Sequence, residues 1–487
     1  MAEHSDATQQ PGTSQHWAVV GGGMLGLATA WRLAEQGQKV TLLEAAPELG
    51  GLTGAWKLGD TTWDRFYHVT LLSDTRLRAL LDEIGLEKEI RWVQTRTGFF
   101  SGGKLYSLSS SFDFLKFPPL SLWQKFRLGS TIFYASKLRD WKALERIPVE
   151  KWLRKLSGKS TFEKIWLPLL KAKLGDAYQR TSAAFIWSYI DRMYKARRSG
   201  MKREMFGYVP GGYRRILQVL GAALESRGAT VATSSPVTQV VHDPVTNTFQ
   251  VTCGQGSNQR TESFDRVVMT APSPIIDKSC SGLGEAERTR LNSAEYLGVV
   301  CTSLLLDRPL AGYYVTNVID SWVPLTGIIE MGAIVDPKYL NGHYLVYLPR
   351  YLMANDAGFD ESDDTIHERC LTTLEKMYPK FDRSQVAAIQ TARARHVMAL
   401  PTLRYSEQLP PVVSSVPGLY LLNSAQVTKG NLNVNETIEI VERELEQSIM
   451  PDFKATVTQQ TVSAAPANSW TKNSDVESSQ LESRINV

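Results

Sequence analysis

Cysteine is scarce. Cys253, Cys280, Cys301 and Cys370 are the four in 487 residues, and none stands in a C-x-x-C pair. That excludes a disulfide scaffold, a zinc ribbon and a thioredoxin-type redox motif, and it fits a reducing compartment. The seven histidines are scattered with no H-x-x-x-H spacing, so no zinc or iron site is expected. No run of about 18 uncharged apolar residues is present, so no spanning helix is expected. Residues 1–15 have neither a basic n-region nor an apolar h-region, so the reading is a cytoplasmic protein, at most peripheral on the inner face of a membrane. Glycine (35) and proline (22) are too few for a collagen-like or low-complexity chain. With 43% hydrophobic and 21% charged residues, the chain is expected to fold, and at roughly 150 residues per domain its length allows about three domain-sized units.

The first organised element is at the N-terminal end. His16–Val20 reads as a short apolar strand, 24–36 as a helix closed by Gly37, and 39–44 as a second strand. Between strand and helix stand Gly21, Gly23 and Gly26, a G-x-G-x-x-G turn, and Glu44 ends the second strand 18 residues after Gly26. Each part has a physical task. Gly21 turns tightly, Gly23 admits a pyrophosphate close to the backbone, and Gly26 lets the helix approach the strand. The helix start at Met24 and Leu25 presents free N–H groups and the positive dipole end to phosphate. A carboxylate at Glu44 suits the hydroxyls of an adenosine ribose and disfavours an added 2′-phosphate. Strand and helix patterns then alternate, giving an α/β chain with mixed sheets.

Charge is uneven. Residues 104–215 hold 24 Lys and Arg against 8 Asp and Glu, although the whole chain is only +4, and they hold 20 of the 46 aromatics. Such a mixture suits an anionic membrane surface, where aromatics sit at headgroup depth and each cation contributes about 1 kcal/mol. A solvated face or the contact of a homodimer is the alternative. No nucleic-acid-binding module is visible, so nucleic acid is not an expected partner.

Several motifs together resemble the flavin-containing amine oxidase, protoporphyrinogen oxidase and phytoene desaturase superfamily. A second glycine pair, Gly50 and Gly51, follows Glu44, as in that family's loop beside the FAD pyrophosphate; Leu52 stands where the family usually has a basic residue. The stretch 208–240 is similar to the family's second FAD segment and implies a main-chain contact with adenine at Val237. The strand 265–272 looks like the one ending in Ala-Pro under the flavin, at Ala271. Gly418–Ala425 occupies the place of the last motif, with Asn423 and Ser424 where Gly-Asp is usual, and implies hydrogen bonds to ribityl or phosphate oxygens. The family's cysteine pattern for covalent attachment is absent, so non-covalent FAD is implied.

The fold implied is a Rossmann-like FAD-binding domain interleaved with a mixed α+β substrate domain. The FAD domain would use 16–100, 207–272 and 385–450; the substrate or membrane-facing domain, 101–206 and 273–384; 1–15 and 452–487 would be solvated tails. The activity implied is FAD-dependent dehydrogenation of a C–N or C–C unit of a bulky, partly apolar small molecule. The alternatives are a nucleotide-sugar mutase type with no net redox change and a non-catalytic FAD-fold protein. Outside the nucleotide motif, the polar and aromatic cluster Asp64, Arg65, Phe66, Tyr67 and His68 stands out, with His68 the candidate to contact flavin or substrate and tune proton transfer.

Overall fold

The computed structural model describes residues 14–198, 204–428 and 431–456. Of the expected tails, 1–13 and 457–487 lie outside the described residues.

The strand His16–Val20 alternates its side chains between two cores. Trp17 and Val19 enter one apolar cluster, Ala18 and Val20 another, and all four are buried. Burial on both faces is why the strand reads as one continuous apolar run. It is the centre of a five-stranded parallel sheet. In order across that sheet the strands are Thr230–Ala232, Lys39–Leu43, His16–Val20, Arg266–Met269 and Leu419–Leu421. The helices Met24–Glu35, Gly212–Ser226 and Val434–Glu444 cover one face, contributing Leu27, Leu33, Leu220, Ile438 and Val441 to its core. The other face carries an antiparallel sheet of Val237–Asp243, Thr248–Cys253 and Arg260–Phe264, with Ser273–Ser279 beside it.

A second body is built on a seven-stranded mixed sheet. Its strand Tyr296–Leu306, second from one edge, is buried at every residue, between the edge strand Val386–Ala399 on one side and Tyr344–Met353 on the other. Val299, Cys301 and Leu305 pack on one face with Trp63, Phe66 and Tyr208, and Val300, Leu304 and Leu306 on the other with Phe359 and Leu374. The helices between 111 and 198 form a third core, around Trp152, Phe162, Trp166 and Trp187.

Three boundaries differ from expectation. Val386–Ala399, placed by the sequence reading in the FAD domain, hydrogen-bonds along Tyr296–Leu306 and so belongs to the second sheet. Residues 273–293, placed in the substrate domain, instead bury Ile276, Cys280 and Leu291 against the parallel sheet. The C-terminal tail starts later than residue 452. Phe453 is buried and packs edge-on against Trp17, and the Tyr420 hydroxyl donates to Asp452 at 2.9 Å.

Candidate functional site

The first glycine loop is held so tightly that side chains are excluded. A Cβ on Gly26 would overlap the carbonyl oxygen of Gly21, and one on Gly22 would come within 2.8 Å of Glu44 Oε2. Gly21 has φ +114°, a conformation open to glycine. Glu44 fixes the loop: Oε2 accepts the Gly22 N–H at 2.5 Å, and Oε1 accepts the Ala46 N–H at 2.7 Å. Each carboxylate oxygen keeps a further lone pair for a ligand hydroxyl. Thr270, which the sequence reading passed over, braces the loop from the neighbouring strand, its hydroxyl donating to Val20 O at 2.7 Å.

The second glycine pair lies directly on the first. Gly50 donates its N–H to Gly22 O at 2.8 Å, and a Cβ on Gly51 would sit 3.3 Å from Gly23 Cα. Helix Met24–Glu35 starts at Gly23 with no side chain capping its first turn, so its N–H groups are open to an anion. These glycines, the uncapped helix start and the acceptor at Glu44 fit the diphosphate and ribose of a dinucleotide. Ser235 donates its N–H to Glu44 O at 2.8 Å, which brings Val237, two residues on, to the Glu44 end of the groove. Ala271 follows Thr270 at the mouth of the parallel sheet.

Asn423 does not have the role expected of its side chain. It is 1% exposed; Oδ1 accepts the Ala425 N–H at 2.8 Å and Nδ2 donates to Ser273 Oγ at 3.3 Å. The amide is consumed in capping the turn Ser424–Gln426, and the half-buried Ser424 is left as the side chain of this pair closer to solvent. Lys429, near the same segment, lies outside the described residues.

Trp63, Asp64, His68, Tyr208, Tyr213 and Met331 line a small cavity. Asp64, 2% exposed, accepts the Tyr213 N–H at 2.9 Å and caps the helix Gly212–Ser226 from a distant strand. Burial nevertheless pushes its carboxyl up to about 8. His68 Nδ1 lies 3.0 Å from Phe66 O. A carbonyl can only accept, so Nδ1 carries the proton and Nε2 is the free acceptor. Burial lowers His68 to about 4, so the ring is neutral at physiological pH. The sign follows. Unfolded histidine protonates near 6.5 and the folded ring near 4, so stability from this site is full above 6.5 and declines as pH falls toward 4. The Cε1–H resonance of His68 is expected to stay in place between pH 8 and 5.5; a midpoint near 6.5 would contradict the burial argument. The second body contributes Met331 to the cavity wall and is tied to this cluster beside it. The Tyr347 hydroxyl donates to Asp64 O at 2.5 Å, and the Tyr67 and Tyr351 hydroxyls meet at 3.0 Å.

Comparison with known proteins agrees with this geometry. The family described as flavin containing amine oxidoreductase matches residues 25–425. A 15-cis-phytoene desaturase of Glycine max is 22% identical over 451 residues, covering 85% of this chain and 76% of that protein. A zeta-carotene desaturase of Synechocystis is 26% identical over 285 residues, covering 53% of this chain and 58% of that one. Among solved structures, a putrescine oxidase variant superposes with TM-score 0.69 at 16% identity, over 92% of this chain and 100% of that one, and shares the fold. The double glycine cradle, the acid at the second strand end and a family match over residues 25–425, which takes in Gly26, Glu44, Gly50 and Gly51, place this chain in the flavin containing amine oxidoreductase family, as an FAD-dependent oxidoreductase.

Proposed function

We propose that the protein dehydrogenates a C–N or C–C unit of a bulky, partly apolar substrate, with FAD held non-covalently, and that it collects this substrate at an anionic membrane surface. The interleaved FAD and substrate bodies, with the boundaries moved to 296 and 399, are part of the same reading. FAD, when bound, supplies the hydride acceptor. Gly21, Gly23, Met24, Leu25, Gly26, Gly50 and Gly51 would hold its diphosphate, Glu44 its ribose, Val237 its adenine, and Ala271 and Ser424 would border the flavin end. His68 would offer a neutral acceptor at Nε2 and no proton to donate there. The named substrates of the two desaturase relatives support an apolar substrate.

The observation that carries the membrane part is a patch of exposed apolar side chains. Seven large hydrophobic residues stand exposed between 112 and 134, among them Leu122 (76%), Trp123 (64%) and Phe126 (63%), whose two rings stack at 5.5 Å. They lie on the short helix Ser111–Lys116 and on Leu122–Ala135, with Lys116 over the Phe112 ring and Lys137 over the Phe133 ring. Exposed apolar groups in one patch, rimmed by cations, match an anionic lipid surface. Among the described residues no helix is long and apolar enough to cross a membrane, so attachment would be peripheral. Burying one large apolar side chain is worth roughly 1.5–3 kcal/mol, so Trp123→Ser with Phe126→Ser is expected to lower partition onto anionic vesicles at least about 100-fold. Unchanged co-sedimentation would leave the patch as a self-association face. The cofactor part is tested by the visible spectrum before and after denaturation: flavin bands that pass into the filtrate support non-covalent FAD, and bands retained on the chain refute it.

A further inference from the structure

Leu52 stands beside the glycine pair where a cation is usual, and it packs its side chain into the apolar cluster with Trp63 and Phe66. The loop is nevertheless not without a positive charge. Arg65 follows the strand Thr61–Asp64, and its N–H donates to Gly54 O at 3.0 Å, which closes the loop 50–54. Its guanidinium turns back over the same loop, with one terminal nitrogen donating to Gly51 O at 2.9 Å.

Two further observations mark this as a built position. A Cβ on Gly54 would lie 2.7 Å from that nitrogen. Gly54 has φ −62°, which any residue adopts, so its lack of a side chain serves to make room for the guanidinium. The buried Nε of Arg65 has no hydrogen-bond partner, and among the described residues no carboxylate lies within ion-pair distance of Arg65. A guanidinium with a free donor and no counter-ion, held on the loop that touches Gly23, is arranged for an anion.

We infer that Arg65 supplies the cationic contact to the FAD diphosphate that position 52 does not. This rests on the FAD assignment above and adds a residue to it. The charge comes from 13 positions further along the chain, by way of a hairpin that returns to the glycine loop.

The test is titration of the apo protein with FAD by flavin fluorescence at low and moderate salt, for wild type, Arg65→Met and Arg65→Lys, with the melting temperature of each apo protein. A lost charge-assisted contact predicts a Kd raised roughly 10- to 100-fold in Arg65→Met. The variant's salt dependence should be shallower, Arg65→Lys should recover part of the affinity, and the apo melting temperature should be nearly unchanged. Wild-type affinity in Arg65→Met overturns the inference. So does a loss that Lys does not recover, with an unchanged salt response and a lower apo melting temperature, which would make Arg65 a brace for the loop. A wild-type protein that takes up no FAD removes the cofactor assignment itself, an outcome distinct from either.

Discussion

Gly26→Val is expected to yield a colourless protein. Any Cβ at this position would overlap the Gly21 carbonyl oxygen and lie 3.1 Å from Thr270 Oγ1. Neither neighbour can yield cheaply. The Gly21 N–H is bonded to Leu43 O at 2.8 Å, and Thr270 is bonded to Val20 through both its N–H and its hydroxyl. Helix and strand must therefore separate, at a cost of about 1–3 kcal/mol or more for overpacking. The same displacement moves the helix N-terminus away from the groove where the diphosphate would sit. Affinity for FAD is expected to fall at least about 100-fold, since several main-chain hydrogen bonds to a charged group are lost together. Titration of the purified variant with FAD measures this. A yellow Gly26→Val protein with native affinity would show that the cofactor does not use this turn.

The second large effect is on the pH dependence of stability, and it comes from Asp64. Its folded carboxyl titrates at about 8, raised by burial, whereas an unfolded aspartate titrates near 3.9. Between these values the folded protein keeps a proton that the unfolded chain has released. Unfolding therefore releases a proton, and stability falls as pH rises from about 4 to about 8, levelling beyond. By pH 7 the loss is on the order of 4 kcal/mol, at 1.36 kcal/mol per pH unit. Asp64→Asn keeps an acceptor for the Tyr213 N–H but cannot ionise. Denaturant unfolding of both proteins between pH 5 and 8 should show a falling wild-type curve and a flatter Asp64→Asn curve. Parallel curves would mean that the carboxyl ionises inside the fold, stabilised by the start of the Gly212–Ser226 helix. The comparison concerns slopes, because the amide also changes the contact on the second carboxyl oxygen.

The nucleotide half of the molecule was legible because its signals are local. Gly21, Gly23, Gly26 and Glu44 lie within 24 residues, and their roles depend on strand, turn and helix periodicities in that same window. The apolar run 299–306 in the sequence likewise marks the strand Tyr296–Leu306. The helices Ser111–Lys116 and Leu122–Ala135 were not legible, because Phe112, Leu115, Leu122, Trp123, Phe126 and Phe133 stand exposed, so their large apolar residues do not mark a buried stripe. Asp64 as a helix cap and Arg65 as a clamp on Gly51 were beyond reach for another reason. Arg65 acts on a carbonyl that the hairpin Ala55–Leu58 and Thr61–Asp64 brings to it, and Asp64 on the start of a helix 149 residues further along the chain. Asn423 misled because the residue type suits a ligand contact, while its burial and its neighbour Ser273, 150 residues earlier, claim the amide.

The central position of His16–Val20 has a consequence for how the chain is made. Its partner on one side, Lys39–Leu43, emerges from the ribosome almost at once, but Arg266–Met269 is paired to it across a separation of 249 residues. The stacking partner of Trp17, Tyr420, comes later still, and Phe453 near the end of the described chain completes its surroundings. At 5–20 residues per second, the open edge of this strand waits roughly 10 to 50 s for its neighbour. During that interval an apolar strand edge is exposed to other nascent chains, the condition under which strands pair wrongly. Slower initiation, lower temperature or a chaperone that shields residues 16–43 should therefore raise the soluble yield, by protecting an edge that the finished fold keeps at its centre.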